Sequence, residues 1–594
     1  MRLLSQRVLI LIVSGMMFVA HSVQAAESYP VVIKNGVEAK MRDGTILRAD
    51  IYRPTADGKF PVLLERTPYD KQGSRDFAVK GAARGYVVIV QDVRGRYTSD
   101  GDWYPFKNES NDGYDTVEWA ATLPYSNGKV GMFGGSYVGA TQMLTAIAQP
   151  PHLAGICPVV TASNYHDGWT YQGGAFEQWF NESWTSGLAQ DTFNRTVEKN
   201  TNALNGIWKL PLTAYPVFEA PSAASGTDLT RSLAPYFLDW LAHPDYDEYW
   251  KRWSIEENYP KINVPIFTIA AWYDIFLGGS LRNYVGIKVH GGNEAARRGQ
   301  RLLVMIGGHA GSGRKIGDVD FGPAAEFDED DATLNWYDYL LKNATNDFAS
   351  AKPVRIFVMS ANQWREEDDW PLPRARETKY FLHSGGKANS ITGDGALSTA
   401  APRSESPDHY IYDPANPAPT VGGPLCCDAQ HLKPGPRDQR PVEGRADVLA
   451  YSTPVLNEDL EVTGPVRLEL FASSSAVDTD FTAKLVDVWP DGFAQNLTEG
   501  IVRARYRDSQ VHPVLMNPGQ TYKFMVDVWA TSNVFRKGHR IRLEISSSNF
   551  PRFDRNANTG EDSALARTST KATNTVFHDA ERSSVLILPV VPRP

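Results

Sequence analysis

A serine hydroxyl is a weak nucleophile. It becomes useful when an imidazole takes its proton and a carboxylate holds that imidazole in place. One serine here sits where such chemistry would need it, in Lys129-Val130-Gly131-Met132-Phe133-Gly134-Gly135-Ser136-Tyr137-Val138-Gly139. A short apolar strand runs into glycines, then the serine, then the helix-compatible Ala140-Thr141-Gln142-Met143-Leu144. A serine on such a strand-to-helix turn is exposed at the sheet edge, and neighbouring backbone N–H groups point where an oxyanion would form. The generic G-x-S-x-G pattern has glycine at its fifth position, whereas Val138 stands there and Gly139 follows. Two further residues complete the set. Asp274 follows Ala271-Trp272-Tyr273, and His309 follows Gly307-Gly308. Separately, Ser136 reads as a turn serine, Asp274 as a helix cap before Ile275-Phe276-Leu277, and His309 as a loop histidine. Together they stand at successive strand ends in the order Ser, Asp, His that α/β-hydrolases require.

The elements that must position them are legible as short unbroken apolar runs, the mark of strands buried on both faces of a parallel sheet. These runs are Pro61-Val62-Leu63-Leu64, Gly85-Tyr86-Val87-Val88-Ile89-Val90, Val264-Pro265-Ile266-Phe267-Thr268-Ile269-Ala270 and Leu302-Leu303-Val304-Met305-Ile306. Before them, Val31-Val32-Ile33 and Leu47 to Tyr52 suggest an antiparallel pair around Met41-Arg42-Asp43-Gly44. Helices are expected from Gly113 to Leu123, with Val117, Ala120 and Ala121 on one side. Another is expected to start at a cap on Asp330 or Asp331, with Leu334, Tyr337, Leu340 and Leu341 on one face. Alternating strands and helices give an α/β layer architecture.

Between 161 and 260 the texture changes. Trp169, Trp179, Trp184, Trp208, Trp240, Trp250 and Trp253 fall in a stretch with few β-branched runs, which reads as a mostly helical insertion. After Pro353 the chain reads all-β. Val354 to Met359, Val466 to Leu470, Thr521 to Val528 and Ile541 to Ile545 are separated by Gly/Pro/Asn-rich turns, which suits a sandwich or jelly roll. Residues 384–445 read as long loop. The expected plan is therefore a signal segment (1–25), an α/β-hydrolase core in two parts (26–160 and 262–350), a helical cap (161–261) and a β jelly-roll domain (351–594).

The chain has 594 residues and a formal charge of −9. An acidic chain has no broad field for phosphate backbones, so nucleic-acid binding is not expected. Arg2 and Arg7, the apolar run Val8 to Ala20 and Val23-Gln24-Ala25 read as a secretory signal, giving a mature chain from near Ala26 in the periplasm or outside the cell. The run is short for a membrane span, and the mature form is expected to carry no membrane segment. Cys157, Cys426 and Cys427 are the cysteines. The adjacent pair is compatible with a vicinal bridge, but two free or buried thiols are the expectation. No CxxC or HExxH motif is present, and the acidic run Glu326 to Asp331 reads as helix capping rather than a calcium loop. Neither metal nor organic cofactor is required.

Several segments resemble the bacterial cocaine-esterase-like (CocE/NonD) hydrolases, which group with X-prolyl dipeptidyl peptidases, α-amino-acid ester hydrolases and glutaryl-cephalosporin acylases. The matching segments are Arg66-Thr67-Pro68-Tyr69-Asp70-Lys71, Asp92-Val93-Arg94-Gly95, Gly134 to Gly139, Trp272-Tyr273-Asp274 and Gly538 to Pro551. The resemblance runs from about residue 30 to the end. It implies a hydrolase core with a helical cap and a jelly-roll domain. It also implies an oxyanion pocket made by the Tyr69 hydroxyl and the Tyr137 backbone N–H. Tyr69 as a packing tyrosine is the alternative. Asp92, Arg94 and Arg96 read as loop-tying residues.

Amine-reading members of that family place acidic residues near the triad acid and early in the cap. Here Ile275-Phe276-Leu277 follows Asp274, and Asp167 is the one acid in the aromatic segment Asp167 to Phe176. A buried ammonium without a partner is costly, so Trp169 and Phe276 are expected to receive an aromatic or aliphatic acyl group instead. The expected activity is ester hydrolysis through an acyl-enzyme on Ser136, with a small-molecule ester or amide as partner. The alternatives are an amide-cleaving acylase or X-Pro peptidase on the same triad, and more remotely a secreted carbohydrate-binding protein. Homo-oligomerisation stays open.

Overall fold

The computed structural model describes residues 28–196, 211–214, 233–309 and 311–593. The expected signal segment 1–25 and Trp208 lie outside the described residues. No helix among the described residues is long and apolar enough to cross a membrane.

The Val- and Ile-rich runs form the middle of an 11-stranded sheet. Its strands are β1 (Val31–Lys40), β2 (Ile46–Pro54), β3 (Phe60–Thr67), β4 (Val87–Asp92), β5 (Ser126–Gly135), β6 (Leu153–Val159), β7 (Ile266–Tyr273), β8 (Gln300–Gly308), β9 (Val354–Val358) and β10 (Gln363–Glu367). The spatial order is β1-β2-β4-β3-β5-β6-β7-β8-β9-β10, with the short strand Gly311–Ser312 beside β8. β3, β4, β5, β6, β7, β8 and β9 run parallel to their neighbours within that group. Every residue of β4 and of β7 is buried, as strands covered on both faces must be.

Helices α1 (Arg75–Ala83), α2 (Glu109–Ala121) and α3 (Tyr137–Ala148) cover the first half of the sheet. α2 starts earlier than its apolar spacing suggests, because its first turn buries Glu109 and Asp112 in a polar network. After β6 the chain leaves the sheet for the cap, whose described helices include α4 (Gln178–Thr196) and α5 (Pro235–Ala242). It returns through β7 into α6 (Leu277–His290), β8 and α7 (Glu329–Lys342). The cap of α7 is Asp328, whose side chain accepts from the Asp331 N–H. The expected Asp330 or Asp331 instead lies within the first turn.

One strand lies elsewhere than expected. Val354 to Met359 was to open the all-β part, yet β9 pairs in parallel with β8 and extends the first sheet. With Arg355 exposed and its other four residues buried it fits either sheet, so hydrophobic pattern alone could not place it. From Arg376 on, a second 11-stranded sheet forms, with Leu460–Ser474 pairing Tyr522–Phe535, Ala572–Phe577 and Val585–Val591. A single apolar cluster joins the two parts, running from Trp272, Ile306 and Val358 to Leu468, Val526 and Leu543.

The structure also corrects the expectation of free thiols, because Cys426 and Cys427 are joined as a disulfide. Extended backbone would point consecutive side chains to opposite sides. The left-handed conformation at Cys427 (φ 78°) removes that obstacle. Cys157 is free and buried.

Candidate active site

The parallel strands set the site. Ser136 follows β5, Asp274 follows β7, His309 follows β8, and Tyr69 lies just beyond β3. All four therefore stand at the carboxyl ends of strands in one stretch of sheet, where open α/β folds bind ligands.

Ser136 has φ 60° and ψ −126°, a backbone region that a side chain rarely adopts and that is stored at functional turns. It is held there by two main-chain bonds. Its N–H donates to the Val159 carbonyl at 2.9 Å, and its own carbonyl accepts from the Ala140 N–H at 3.1 Å. The valine in the motif's fifth position has a steric explanation. Gly134 has φ 116°, and a Cβ there would fall inside the contact radius of Val138 Cγ1. The branched side chain fits because residue 134 has none. Gly139 is equally constrained, since a Cβ on it would lie 2.7 Å from Thr161 Cβ.

His309 Nε2 lies 2.8 Å from Ser136 Oγ, and His309 Nδ1 lies 2.6 Å from Asp274 Oδ2. Asp274 is fully buried, and its other oxygen, Oδ1, accepts from the Phe276 N–H at 2.7 Å. With both oxygens occupied, the carboxylate cannot swing away. This geometry lets the imidazole accept the serine proton at Nε2 while the carboxylate holds Nδ1–H.

The two expected oxyanion donors face one another. The Tyr69 hydroxyl oxygen accepts from Trp184 Nε1–H at 3.0 Å. Desolvation pushes the phenol's pKa up, while its contacts with the Trp184 indole, the Ser136 side chain and the Tyr137 backbone pull it down. The net shift is upward, so the group stays a neutral donor. The residue as a whole is 38 % exposed, which does not suit a packing tyrosine. Tyr137 opens α3, so its backbone N–H belongs to the first turn and has no partner within the helix. Its side chain points elsewhere and is fully buried.

Trp169 and Phe276 come together beside the triad. Their rings stack at 4.3 Å with planes 7° apart, and Phe276 meets the His309 ring edge-to-face at 5.1 Å. Trp184 and Phe180 close the same wall around Trp169. Asp167, the acid able to serve an ammonium group, is committed elsewhere. Its carboxylate pairs with Arg282 at 3.0 Å and accepts from the Gly173 N–H at 3.1 Å.

Sequence reasoning missed several residues that serve this site. Trp184 reads in the sequence only as part of the Trp-rich cap. The i, i+4, i+8 spacing of Phe180, Trp184 and Leu188 would have shown a single helix face, and all three are buried. Arg96, read as loop-tying, does tie loops: it donates to the carbonyls of Pro68 (2.9 Å) and Leu188 (2.7 Å). It thereby fixes the residue preceding Tyr69 against the cap helix that carries Trp184. Arg94 pairs with Asp112 and Asp43, and Asp92 accepts from the Lys71 and Thr98 N–H groups. Glu177, buried in the cap, carries no signal in the sequence that separates it from a surface acid. Burial pushes its carboxyl up to about 7, with Arg552 facing it at 3.9 Å.

Comparison with known proteins identifies the family. Residues 43–311 match the X-Pro dipeptidyl-peptidase (S15 family) model. Residues 346–587 match the model of the X-Pro dipeptidyl-peptidase C-terminal non-catalytic domain. The chain is 39% identical to cocaine esterase of Rhodococcus sp. (strain MB1 Bresler), over 94% of this chain and 99% of that protein. Among solved structures, an aminopeptidase from a marine sediment Thaumarchaeota archaeon superposes with TM-score 0.82 at 25% identity, covering 98% of this chain and 99% of the other. An α-amino acid ester hydrolase superposes with TM-score 0.78 at 25% identity, covering 97% and 100%. The chain thus belongs to the cocaine-esterase-like (CocE/NonD) hydrolases of the X-Pro dipeptidyl-peptidase S15 group, and it is a serine hydrolase.

Proposed function

We propose that the protein is an exported esterase that cleaves esters of aromatic or other apolar acids through an acyl-enzyme on Ser136. The observation that carries this reading is the unbroken contact from Ser136 Oγ through the His309 imidazole to Asp274, with the Trp169–Phe276 stack packed against that imidazole. In the first step Ser136 Oγ bonds to the acyl carbon and its proton passes to His309 Nε2. The carbonyl oxygen takes the negative charge, facing the Tyr69 hydroxyl and the Tyr137 N–H. Collapse breaks the ester bond, and His309 returns the proton to the departing alcohol. Water then attacks the acyl-enzyme with His309 again as base, releasing the acid and restoring Ser136.

An apolar acyl group is favoured because the wall beside His309 is aromatic and Asp167 is neutralised by Arg282. The buried cap acid Glu177 is engaged as well. Burial raises the pKa of its carboxyl, which already faces Arg552 at 3.9 Å. The reading is tested by labelling with a fluorophosphonate, which should be lost in Ser136→Ala, and by a panel of benzoyl, acetyl and α-amino acyl esters with an Xaa-Pro amide. Fastest turnover of the benzoyl ester is expected. Preference for the α-amino acyl ester or the Xaa-Pro amide would refute the pocket assignment.

Export rests on residues 1–25, and the Cys426–Cys427 bridge agrees with an oxidising compartment. Fractionation with N-terminal sequencing should find a mature chain beginning near Ala26 outside the cytosol. Recovery of the uncleaved chain in the cytosol would overturn it.

A further inference from the structure

Tyr137 contributes only a backbone N–H to the oxyanion pocket, yet its phenol is among the most enclosed groups in the molecule. The Tyr137 hydroxyl donates to Glu109 Oε1 at 3.0 Å and accepts from the Phe106 N–H at 2.7 Å. Glu109 Oε2 in turn pairs with Arg66 Nη1 at 2.7 Å, and Arg66 Nε donates to Gln91 Oε1 at 3.0 Å. Arg66 and Tyr137 have no exposed surface, and Glu109 is 3 % exposed. A buried ion pair is weak evidence for stability, since hydrophobic residues of similar volume often do as well. Its geometry therefore needs another explanation.

The backbone around it is strained at two points. Ser136 has φ 60° and Phe106 has φ 67°, both left-handed and neither glycine. The conformation of Phe106 belongs with the placement of its N–H on the Tyr137 hydroxyl. The ring of Phe106 also stacks on Tyr165 at 3.8 Å and lies edge-on to Trp169 at 5.3 Å. Arg66 stands in β3, three residues before Tyr69, while Glu109 opens α2 and holds the residue after the nucleophile. Two chain segments that share no hydrogen-bonded turn are thus clamped by one charge pair.

We propose that the buried Arg66–Glu109 pair, acting through the Tyr137 phenol, is a positioning device that fixes the two oxyanion donors, the Tyr69 hydroxyl and the Tyr137 N–H, at one spacing. None of the three side chains touches substrate. They act through the donors they hold, and tenths of an ångström at such donors change transition-state binding more than substrate binding.

The inference rests on the serine-hydrolase reading, and the test separates the two. Tyr137→Phe deletes one oxygen and leaves ring and ion pair in place, and Glu109→Gln is the second variant should the first not accumulate folded. Three quantities are measured: kcat/KM for 4-nitrophenyl acetate, Ki for phenylboronic acid, whose tetrahedral serine adduct puts an oxygen in the pocket, and Ki for benzamide, which carries no such charge. The expectation is a fall of at least fivefold in kcat/KM, an equal rise in the boronate Ki, and a benzamide Ki within twofold of wild type. Glu109→Gln should also cost less in a Tyr69→Phe background than alone, because both act on the same pocket. A smaller change in kcat/KM or boronate Ki, or weakening of benzamide in the same proportion, overturns the proposal. Persistence of turnover in Ser136→Ala would instead overturn the hydrolase reading beneath it.

Discussion

Tyr69→Phe removes one hydroxyl and leaves the ring. In the structure that hydroxyl oxygen is already an acceptor, taking the Trp184 indole N–H at 3.0 Å. Its single hydrogen is therefore free to be aimed, and the substrate oxyanion is the group that develops charge beside it. Loss of one such donor costs about 3 kcal/mol of transition-state stabilisation, or roughly 10²-fold in kcat. The effect on folding is smaller. The ring stays in place and keeps its burial, but the Trp184 indole N–H is left unpaired in a 4 % exposed residue. That orphan costs about 1 kcal/mol. Activity and stability should therefore separate: steady-state hydrolysis of 4-nitrophenyl acetate falls by roughly 10², while the melting temperature shifts by only a few degrees. Trp184→Phe supplies an internal control. It removes the group that orients the hydroxyl but not the hydroxyl itself, so its loss should be smaller, about tenfold. If folded Tyr69→Phe keeps more than about a fifth of wild-type kcat/KM, the phenol is not an oxyanion donor and the reasoning fails.

Asp274→Asn leaves a neutral amide facing His309 Nδ1, where the carboxylate now sits at 2.6 Å. Wrong-tautomer imidazole should lower kcat by about 10⁴ with the fold intact, and retention of even a tenth of the activity would dismiss the triad. Gly134→Ala places a methyl against Val138 Cγ1 at a backbone φ of 116°, so a loss of about 3 kcal/mol in thermal or denaturant melts is expected. Adding Val138→Gly should recover part of it, and no recovery would mean that backbone strain alone is responsible. Glu65, buried against the nucleophile turn and accepting from Ser74 Oγ at 2.8 Å, has its carboxyl pushed from 4.5 up to about 7 by burial. A raised folded-state pKa favours the protonated form on folding. This contribution is therefore complete below about 4.5 and lost as pH rises through about 7. Glu65→Gln should match wild type in melting near pH 4.5 and exceed it by about 3 kcal/mol near pH 8; a difference that does not grow with pH would refute this.

Ser136 was legible from its glycine-flanked strand-to-helix turn, and Asp274 and His309 because they follow apolar runs that burial on both faces of a parallel sheet demands. What escaped the sequence depended on partners distant in the chain. The Glu109 carboxylate finds Arg66 and Tyr137, 43 and 28 residues away. A reader of local pattern sees only a polar helix start. The strand at Val354–Val358 is apolar everywhere but Arg355, as a strand of either sheet could be, so its parallel partner could not be deduced. The Cys426–Cys427 bond turned on the sign of a single φ angle, a quantity that residue types constrain weakly away from glycine.

That late strand has a bearing on how the chain can be divided. The two family models meet between residues 311 and 346, and Val354–Val358 lies beyond that seam while hydrogen-bonding back to β8. A fragment ending at the seam would bare the backbone of the strand that leads to His309, and an open parallel edge invites pairing with other chains. Severed catalytic halves should accordingly aggregate rather than fold as lean, independent hydrolases, and minimisation of this scaffold has to keep residues through Glu367.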